Sequence, residues 1–318
     1  MSSSFVTIKN GNLLAEKMST KNLLLEYSFG VYTTCRTVRK THIFEYRDHM
    51  KRLQEAHKLR PKKESAQKEV TIDSRMSPFE REEVEKYTLP SIQMAIREMA
   101  QHVQRDSDIR LYLVLSPKWE QFVDKEDTQI DDFDFIVRAE ELPPLPEGQV
   151  SVELKVTGSR ENPTVKHANW IRQKEKYTKE MSPRVNEVLL SDEKGHIFEG
   201  LSSNFFVMLN EPPCLLTAPT DTVLFGTVAT AVKEICEKKG IELKYAFPSI
   251  SEFSRWNAAF VTSTSRGVLP IGDIDVYDEH EKLKENKKID SLSCKTLQEI
   301  RAAYQQFILE HSVQVIEL

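Results

Sequence analysis

The sequence predicts a mixed α+β (α/β) protein of two domains, and three observations carry that prediction. The chain has 318 residues, 39% hydrophobic and 29% charged, which is enough apolar material for two cores under a solvated surface. Alternating, β-branched segments and segments of helical period are interleaved along its length. A proline- and glutamate-rich stretch, AEELPPLPEG at residues 139–148, interrupts both patterns near the middle. Proline fixes φ and disfavours helix before it, so this stretch is expected to run extended as a linker. The expected division is residues 1–138, a linker at 139–148, and residues 149–318, the last carrying most of the candidate chemistry.

Taken in order, FVTIKNGNLL and GVYTTCRTV read as strands, because β-branched and aromatic residues gather around a turn. Residues 48–59 read as a helix. Residues 61–83 are polar and charge-dense, the pattern of a mobile surface excursion. Behind Pro90, a good first-turn residue, Ile92, Ala95, Ile96, Met99 and Val103 recur at helical spacing. RLYLVL and FDFIVRAE complete the first domain as strands. In the second, QVSVELKV reads as a strand and residues 167–181 as a helix. NEVLLSDEKGHIFEG reads as two strands about a Lys194–Gly195 turn, and SSNFFVML as another. Residues 227–239 form an amphipathic helix with Val228, Val232, Ile235 and Cys236 inward and Gly240 as its cap. Ser249 and Glu252 have capping-box spacing for a short helix. NAAFVTS reads as a buried strand, and residues 292–309 as a helix with Leu297, Ile300, Tyr304 and Ile308 on one face.

Composition narrows the function classes. A net charge of -5, from 44 basic and 49 acidic residues, offers no electrostatic reason to expect nucleic acid or an anionic membrane as partner. Cys35, Cys214, Cys236 and Cys294 lie too far apart for CxxC metal or redox spacing and read as reduced packing residues. The opening MSSSFVTIKNGNLL has neither the basic nor the apolar region of a signal peptide. No apolar run approaches the roughly 18 residues of a membrane helix. A soluble cytoplasmic protein is expected. There is no GxGxxG, HExxH or GxSxG, and no glycine pair of phosphate-loop spacing is followed by lysine. Metal and serine hydrolases are therefore disfavoured, and no metal site is expected.

Four segments carry the chemistry: DHMKRL at residues 48–53, VKHANW at 165–170, EGLSSNFF at 199–206, and FGTV at 225–228 with TST at 262–264. In these segments the sequence resembles the class IV, or fold-type IV, pyridoxal-phosphate-dependent aminotransferase family. That family includes branched-chain and D-amino-acid aminotransferases and aminodeoxychorismate lyase. Lys166, Glu199, Gly226 and Thr264 follow one another at intervals of 33, 27 and 38 residues, close to the family's spacing.

An aldehyde cofactor needs a neutral primary amine, and partial burial among apolar neighbours lowers a lysine pKa. Val165, Ala168 and Trp170 give Lys166 such a setting before the charge-rich RQKEKYTKE begins. The resemblance makes Lys166 the lysine that forms the imine with pyridoxal 5′-phosphate and shuttles the proton; Lys174 and Lys176 are next to test. Glu199 follows the apolar pair Ile197–Phe198 at a strand end, and the family's matching glutamate keeps the pyridine nitrogen protonated. Arg52 matches the phosphate arginine, whose guanidinium fork suits an anion. Thr227 and Val228 open a helix whose N-terminus attracts phosphate, and Ser263 and Thr264 at a strand end add hydroxyl and amide groups. Ser202, Ser203 and Asn204 are supporting positions. Tyr32 matches an aromatic on the family's substrate side, and Trp170 is a second candidate there. His167 is read as a neighbour of Lys166 pointing elsewhere, as adjacent helix residues do.

The pattern departs from several relatives after RLYLVL. There an arginine–glycine pair receives the substrate carboxylate, whereas this chain has Ser116-Pro117-Lys118-Trp119. The resemblance implies a homodimeric transaminase that moves an amino group from a branched-chain or D-amino acid to a 2-oxo acid. A β-eliminating lyase on the same cofactor is the alternative, and a scaffold without turnover, acting in binding or regulation, is the alternative of another class.

Overall fold

In the computed structural model, which describes residues 5–15, 18–61, 70–122, 125, 127–160 and 166–317, contacts divide the chain into two units. The first is Met1–Pro143, Val165–Gln173 and His311–Leu318; the second is Pro144–Thr164 and Lys174–Glu310. The chain leaves the first unit inside the proline-rich stretch, although residues 139–141 still belong to the strand Phe133–Glu141. The division is not a single cut at a linker. Hydrogen bonds to the Gly30 carbonyl and from the Tyr32 N–H hold the segment around Lys166, and the strand Ser312–Gln314 pairs with His42–Phe44. Lys166, expected in the C-terminal domain, therefore belongs to the first unit.

The first unit is a seven-stranded antiparallel sheet. Across it run Ser312–Gln314, His42–Phe44, Val31–Val38, Ile109–Pro117, Phe133–Glu141, Phe5–Lys9 and Asn12–Leu13. Strand alternation sends Leu111, Leu113, Phe133, Phe135 and Val137 into one cluster with Met50 and Leu53 of helix Tyr46–Gln54 and Ile92, Ala95, Ile96 and Met99 of helix Arg81–Ala100. Each of these side chains larger than Ala95, fully withdrawn from water, contributes about 1.5–3 kcal/mol. Tyr32, Val114 and Ile136 join a second cluster with Leu23, Leu24, Ala168 and Ile171.

Two expectations need correcting here. The helix begins at Arg81, with Pro90 inside it rather than in its first turn. Val84 and Thr88 are fully buried on the same stripe as Ile92, and Glu82 and Glu83 suit the N-terminal turn. Pro90 and Lys86 are exposed, so the carbonyl that Pro90 leaves without a donor faces water. The helix expected over 48–59 ends at Gln54, passes through a 3₁₀ turn, Glu55–Lys58, and gives way to a strand, Leu59–Pro61, paired with Val70–Ile72. Of the expected excursion at 61–83, residues 62–69 lie outside the described residues.

In the second unit six strands close into a ring: Ile197–Gly200, Val185–Ser191, Val150–Val156, Gly267–Tyr277, Trp256–Ser263 and Asn204–Leu209. Val150–Val156 lies parallel to both of its neighbours, and the other pairs of the ring are antiparallel. Val152, Leu154, Leu189, Phe205, Val207, Val261, Ile271 and Ile274 share one apolar cluster. Helices Thr227–Lys239 and Lys295–Glu310 pack on each other and against the strands Trp256–Ser263 and Gly267–Tyr277. The ring closes through the pair Glu199 and Asn204.

The helix expected over 167–181 is instead two short pieces, Trp170–Gln173 and Glu175–Glu180. The backbone at Lys166–His167 is taken up by Tyr32 and Val31, which leaves it extended. Ser249 does not cap the 3₁₀ segment Ile250–Arg255; its hydroxyl pairs with that of Ser251, and Glu252 turns to Arg255. Among the described residues no helix is long and apolar enough to cross a membrane, and all four cysteines are buried and unpaired.

Candidate active site

In the first unit, a strand edge fixes Lys166. The Tyr32 N–H donates to the Lys166 carbonyl at 3.0 Å, the Ala168 N–H donates to the Gly30 carbonyl at 2.9 Å, and Val31 bridges His167. On its other side Gly30 lies against the strand Ile109–Pro117, where a Cβ would stand 2.5 Å from the Leu115 carbonyl oxygen. The result places Lys166 Nζ 5.0 Å from the centroid of the buried Tyr32 ring. His49 is fully buried, with Nδ1 2.7 Å from Thr33 Oγ1. Burial holds its imidazole well below the usual range, and the nearby cations Arg52 and Lys166 push the same way. His49 is thus a neutral packing and hydrogen-bonding partner, and Arg52 lies on the same face of helix Tyr46–Gln54. The first unit therefore sets Lys166 beside Tyr32 and keeps Lys166 and Arg52 close enough to act on His49. Trp170 opens a short helix and is half-buried. His167 points away from Lys166 because of strand-like pairing, not because it stands on a helix.

In the second unit, Glu199 is 4% exposed, which removes the reading of a solvated hairpin glutamate. Its Oε1 lies 2.9 Å from Arg160 Nε, an ion pair by distance whose N–H is off the hydrogen-bond line. Its Oε2 accepts from the Leu224 N–H at 3.2 Å. A carboxylate this buried needs a cation, and Arg160 supplies it. Asn204 accepts from the Gly226 N–H at 2.9 Å and donates to the Leu224 carbonyl at 2.8 Å. It thereby ties the ring's closing pair to the start of helix Thr227–Lys239. Gly226 is that helix's N-cap, and a Cβ there would stand 2.8 Å from Asn204 Oδ1. Thr227 and Val228 are buried in the first turn, where backbone N–H groups have no intrahelical acceptor.

Ser263 ends the strand Trp256–Ser263, and its hydroxyl accepts from Arg266 Nε at 3.0 Å. Ser202 and Ser203 donate to Glu187 Oε2 at 2.9 and 2.8 Å, so both hydroxyls are turned inward. Burial alone would raise the Glu187 pKa, but the Arg266 guanidinium and Ser203 outweigh it and hold the carboxyl below its usual range. Arg160, Glu187 and Arg266 are the residues that sequence reasoning missed. Their one signal is proximity: Arg266 stands two residues after TST, Arg160 precedes Lys166 closely, and Glu187 lies near the start of the strand before Glu199.

Gly200 packs where no side chain fits. A Cβ would stand 2.3 Å from Ser203 Oγ and 2.8 Å from Glu187 Cγ. Gly200→Ala is therefore expected to lower stability by about 1–3 kcal/mol through overpacking. Denaturant unfolding of the two proteins measures it, and an unchanged midpoint would show that the turn relaxes freely.

The first unit thus offers an amine beside an aromatic face and a guanidinium, and the second, by itself, a buried carboxylate and a helix N-terminus. Among the described residues no group of His, Cys, Asp and Glu is arranged to hold a metal ion. The fold is the one shared by fold-type IV proteins, one of which is a hypothetical aminotransferase solved in its pyridoxal-phosphate-bound form.

Comparison with known proteins agrees. The profile of the class IV amino-transferases matches residues 30–274, and the chain belongs to that family. A Methanocaldococcus jannaschii protein assigned as a branched-chain-amino-acid aminotransferase is 27% identical over 136 residues, 40% of this chain and 46% of that protein. The chain thus matches less than half the length of that curated relative. The branched-chain aminotransferase of Thermoproteus uzoniensis, solved with norvaline, superposes with a TM-score of 0.65 at 19% identity, covering 98% of this chain and 99% of its own. A hypothetical aminotransferase of Mycobacterium tuberculosis, solved in its pyridoxal-phosphate-bound form, gives 0.63 at 15% identity, covering 96% of this chain and 99% of its own. At such identities the likeness to solved structures is one of fold.

Proposed function

We propose that the protein is a pyridoxal-phosphate-dependent transaminase that moves an amino group from an amino acid, of branched-chain or D-amino-acid type, to a 2-oxo acid. The observation that carries this reading is Lys166, clamped through its backbone with Nζ beside the Tyr32 ring. When bound, the cofactor supplies an aldehyde carbon to capture amines and a ring that draws electrons from the substrate Cα. Lys166 would hold the cofactor through its aldehyde carbon and, once displaced by the substrate amine, would carry the Cα proton on its free Nζ. Glu199, steadied by Arg160 and the Leu224 N–H, would keep the pyridine nitrogen protonated when the cofactor is bound. Arg52, the backbone at Thr227 and Val228, and Ser263 and Thr264 hold the phosphate. Tyr32 and Trp170 line the substrate side and exclude water from it.

The family match and the curated relative do not favour the lyase or the scaffold without turnover. Lys118, which stands where several relatives have the arginine, donates from Nζ to the Asp131 carbonyl at 2.7 Å and lacks the bidentate fork of a guanidinium. Cytoplasmic location and a homodimeric state belong to the same proposal and rest on the family resemblance. The experiment is turnover with and without a 2-oxo acid. Stoichiometric dependence supports transamination, whereas pyruvate release without any oxo acid would establish the lyase.

Arg52→Ala is expected to weaken pyridoxal phosphate by roughly 2–3 kcal/mol, the worth of one charge-assisted contact in a partly buried site. The rate of the chemical step at saturation should change little. Equilibrium titration of cofactor absorbance beside a single-turnover rate measures both.

A further inference from the structure

Arg266 is a guanidinium with every donor in use. Nε donates to Ser263 Oγ at 3.0 Å, Nη1 to the Asn186 carbonyl at 3.2 Å and to its Oδ1 at 3.0 Å. Nη2 donates to Glu187 Oε2 at 2.6 Å and to Ser202 Oγ at 2.9 Å. A guanidinium has five N–H groups, so Arg266 has none left for a substrate carboxylate. It does not replace the arginine absent after RLYLVL.

Its two serine partners differ in a telling way. Ser202 accepts from Arg266 and donates to Glu187, so its hydroxyl proton is spent inside the protein. Ser263 accepts from Arg266 through its oxygen, which commits its own proton to a different acceptor. A hydroxyl held by a cation is also a stronger donor than one held by a neutral group. The turn is locked on its far side as well: Gly267 has φ +60, and a Cβ there would stand 3.0 Å from Tyr304 Cε1.

We propose that Arg266 is a positioning residue that turns Ser263 into an obligate donor toward the phosphate of the bound cofactor. This rests on the pyridoxal-phosphate reading above. The side chain anchors the turn to Asn186 and Glu187 at the start of one strand and presents the Ser263 proton outward. Arg266 touches neither the ring nor the substrate.

The test compares dissociation constants for pyridoxal 5′-phosphate and for pyridoxal, which lacks the phosphate, in the full-length chain. Arg266→Met is expected to weaken the phosphate ester about tenfold, the worth of one hydrogen bond, and to leave pyridoxal within about twofold. Ser263→Ala should give the same selective loss, Ser202→Ala should not, and the Ser263→Ala/Arg266→Met double variant should be no weaker than Ser263→Ala. Arg266→Met leaves Glu187 as a buried, unpaired carboxylate. If it does not fold, Glu187→Gln/Arg266→Met carries the same comparison. An Arg266 variant that keeps wild-type affinity, loses both ligands equally, or adds its loss to that of Ser263→Ala would overturn the inference alone. A wild-type chain that binds no pyridoxal phosphate would overturn the reading beneath it.

Discussion

Lys166→Ala is expected to abolish turnover, a loss of at least roughly 10²–10⁴-fold, together with the near-ultraviolet to visible band of the cofactor-loaded protein. The fold should survive. The Tyr32 N–H donates to the Lys166 backbone carbonyl, and alanine keeps that bond. What is lost is a half-buried amine over the Tyr32 ring, so the stability change should stay within about 1 kcal/mol. A matched pair of unfolding curves and absorbance spectra tests both halves. Should the variant keep its band, the structure ranks the alternatives. Burial lowers the Lys174 pKa against the pull of Glu187, with Arg266 and Arg160 acting in the same direction as burial. The hydrogen bond to Tyr177 raises that of Lys176 and keeps it an ammonium. Lys174 is the only one of the two whose surroundings favour a nucleophile.

Much of the fold was legible because it rests on local pattern. The helix Thr227–Lys239 and its Gly240 cap, at φ 67, follow directly from period and cap chemistry. The turn at Gly195, with φ +79, follows from the same reasoning. What pattern alone misses is pairing at a distance. GVLPIGDIDVY carries a proline and two glycines, yet Gly267–Tyr277 is the longest strand of the ring, with partners along both edges. Lys166 looked helical from its neighbours, but the free edge of the strand Val31–Val38 captured its backbone. No window of residues around position 166 contains that information.

The candidate site divides in the same way. Lys166, Glu199 and Arg52 stand in short motifs, and their order can be read along the chain. Arg160 and Arg266 could not be read, because an arginine in sequence is a surface residue until a buried carboxylate is shown beside it. Each found its role only when the ring closed at Glu199 and Asn204 and brought Glu187 beneath Ser202 and Ser203. Ser202, Ser203 and Asn204 support the site, but by bonding to the protein: two of them serve Glu187, and the third holds the start of a helix.

Glu199→Gln is the substitution that separates holding the cofactor from using it. Glutamine keeps the shape and the acceptor for the Leu224 N–H but removes the charge opposite Arg160. Two consequences follow. On the proposed role of Glu199, the pyridine nitrogen would lose the anion that keeps it protonated, so abstraction of the substrate Cα proton should slow by roughly 10²–10³-fold, as when a fixed electrostatic partner is removed. Arg160, 6% exposed, is left with a neutral partner, which should lower stability by about 1–3 kcal/mol. Pyridoxal phosphate should still bind, because Arg52, Ser263, Thr264 and the helix start are untouched. Glu199→Gln/Arg160→Met, with neither charge present, should recover much of the stability and none of the rate. That split is the deciding measurement: a double variant regaining turnover would make Glu199 a mere counter-ion for Arg160, whereas a recovered fold with a lost chemical step assigns the carboxylate to the cofactor ring.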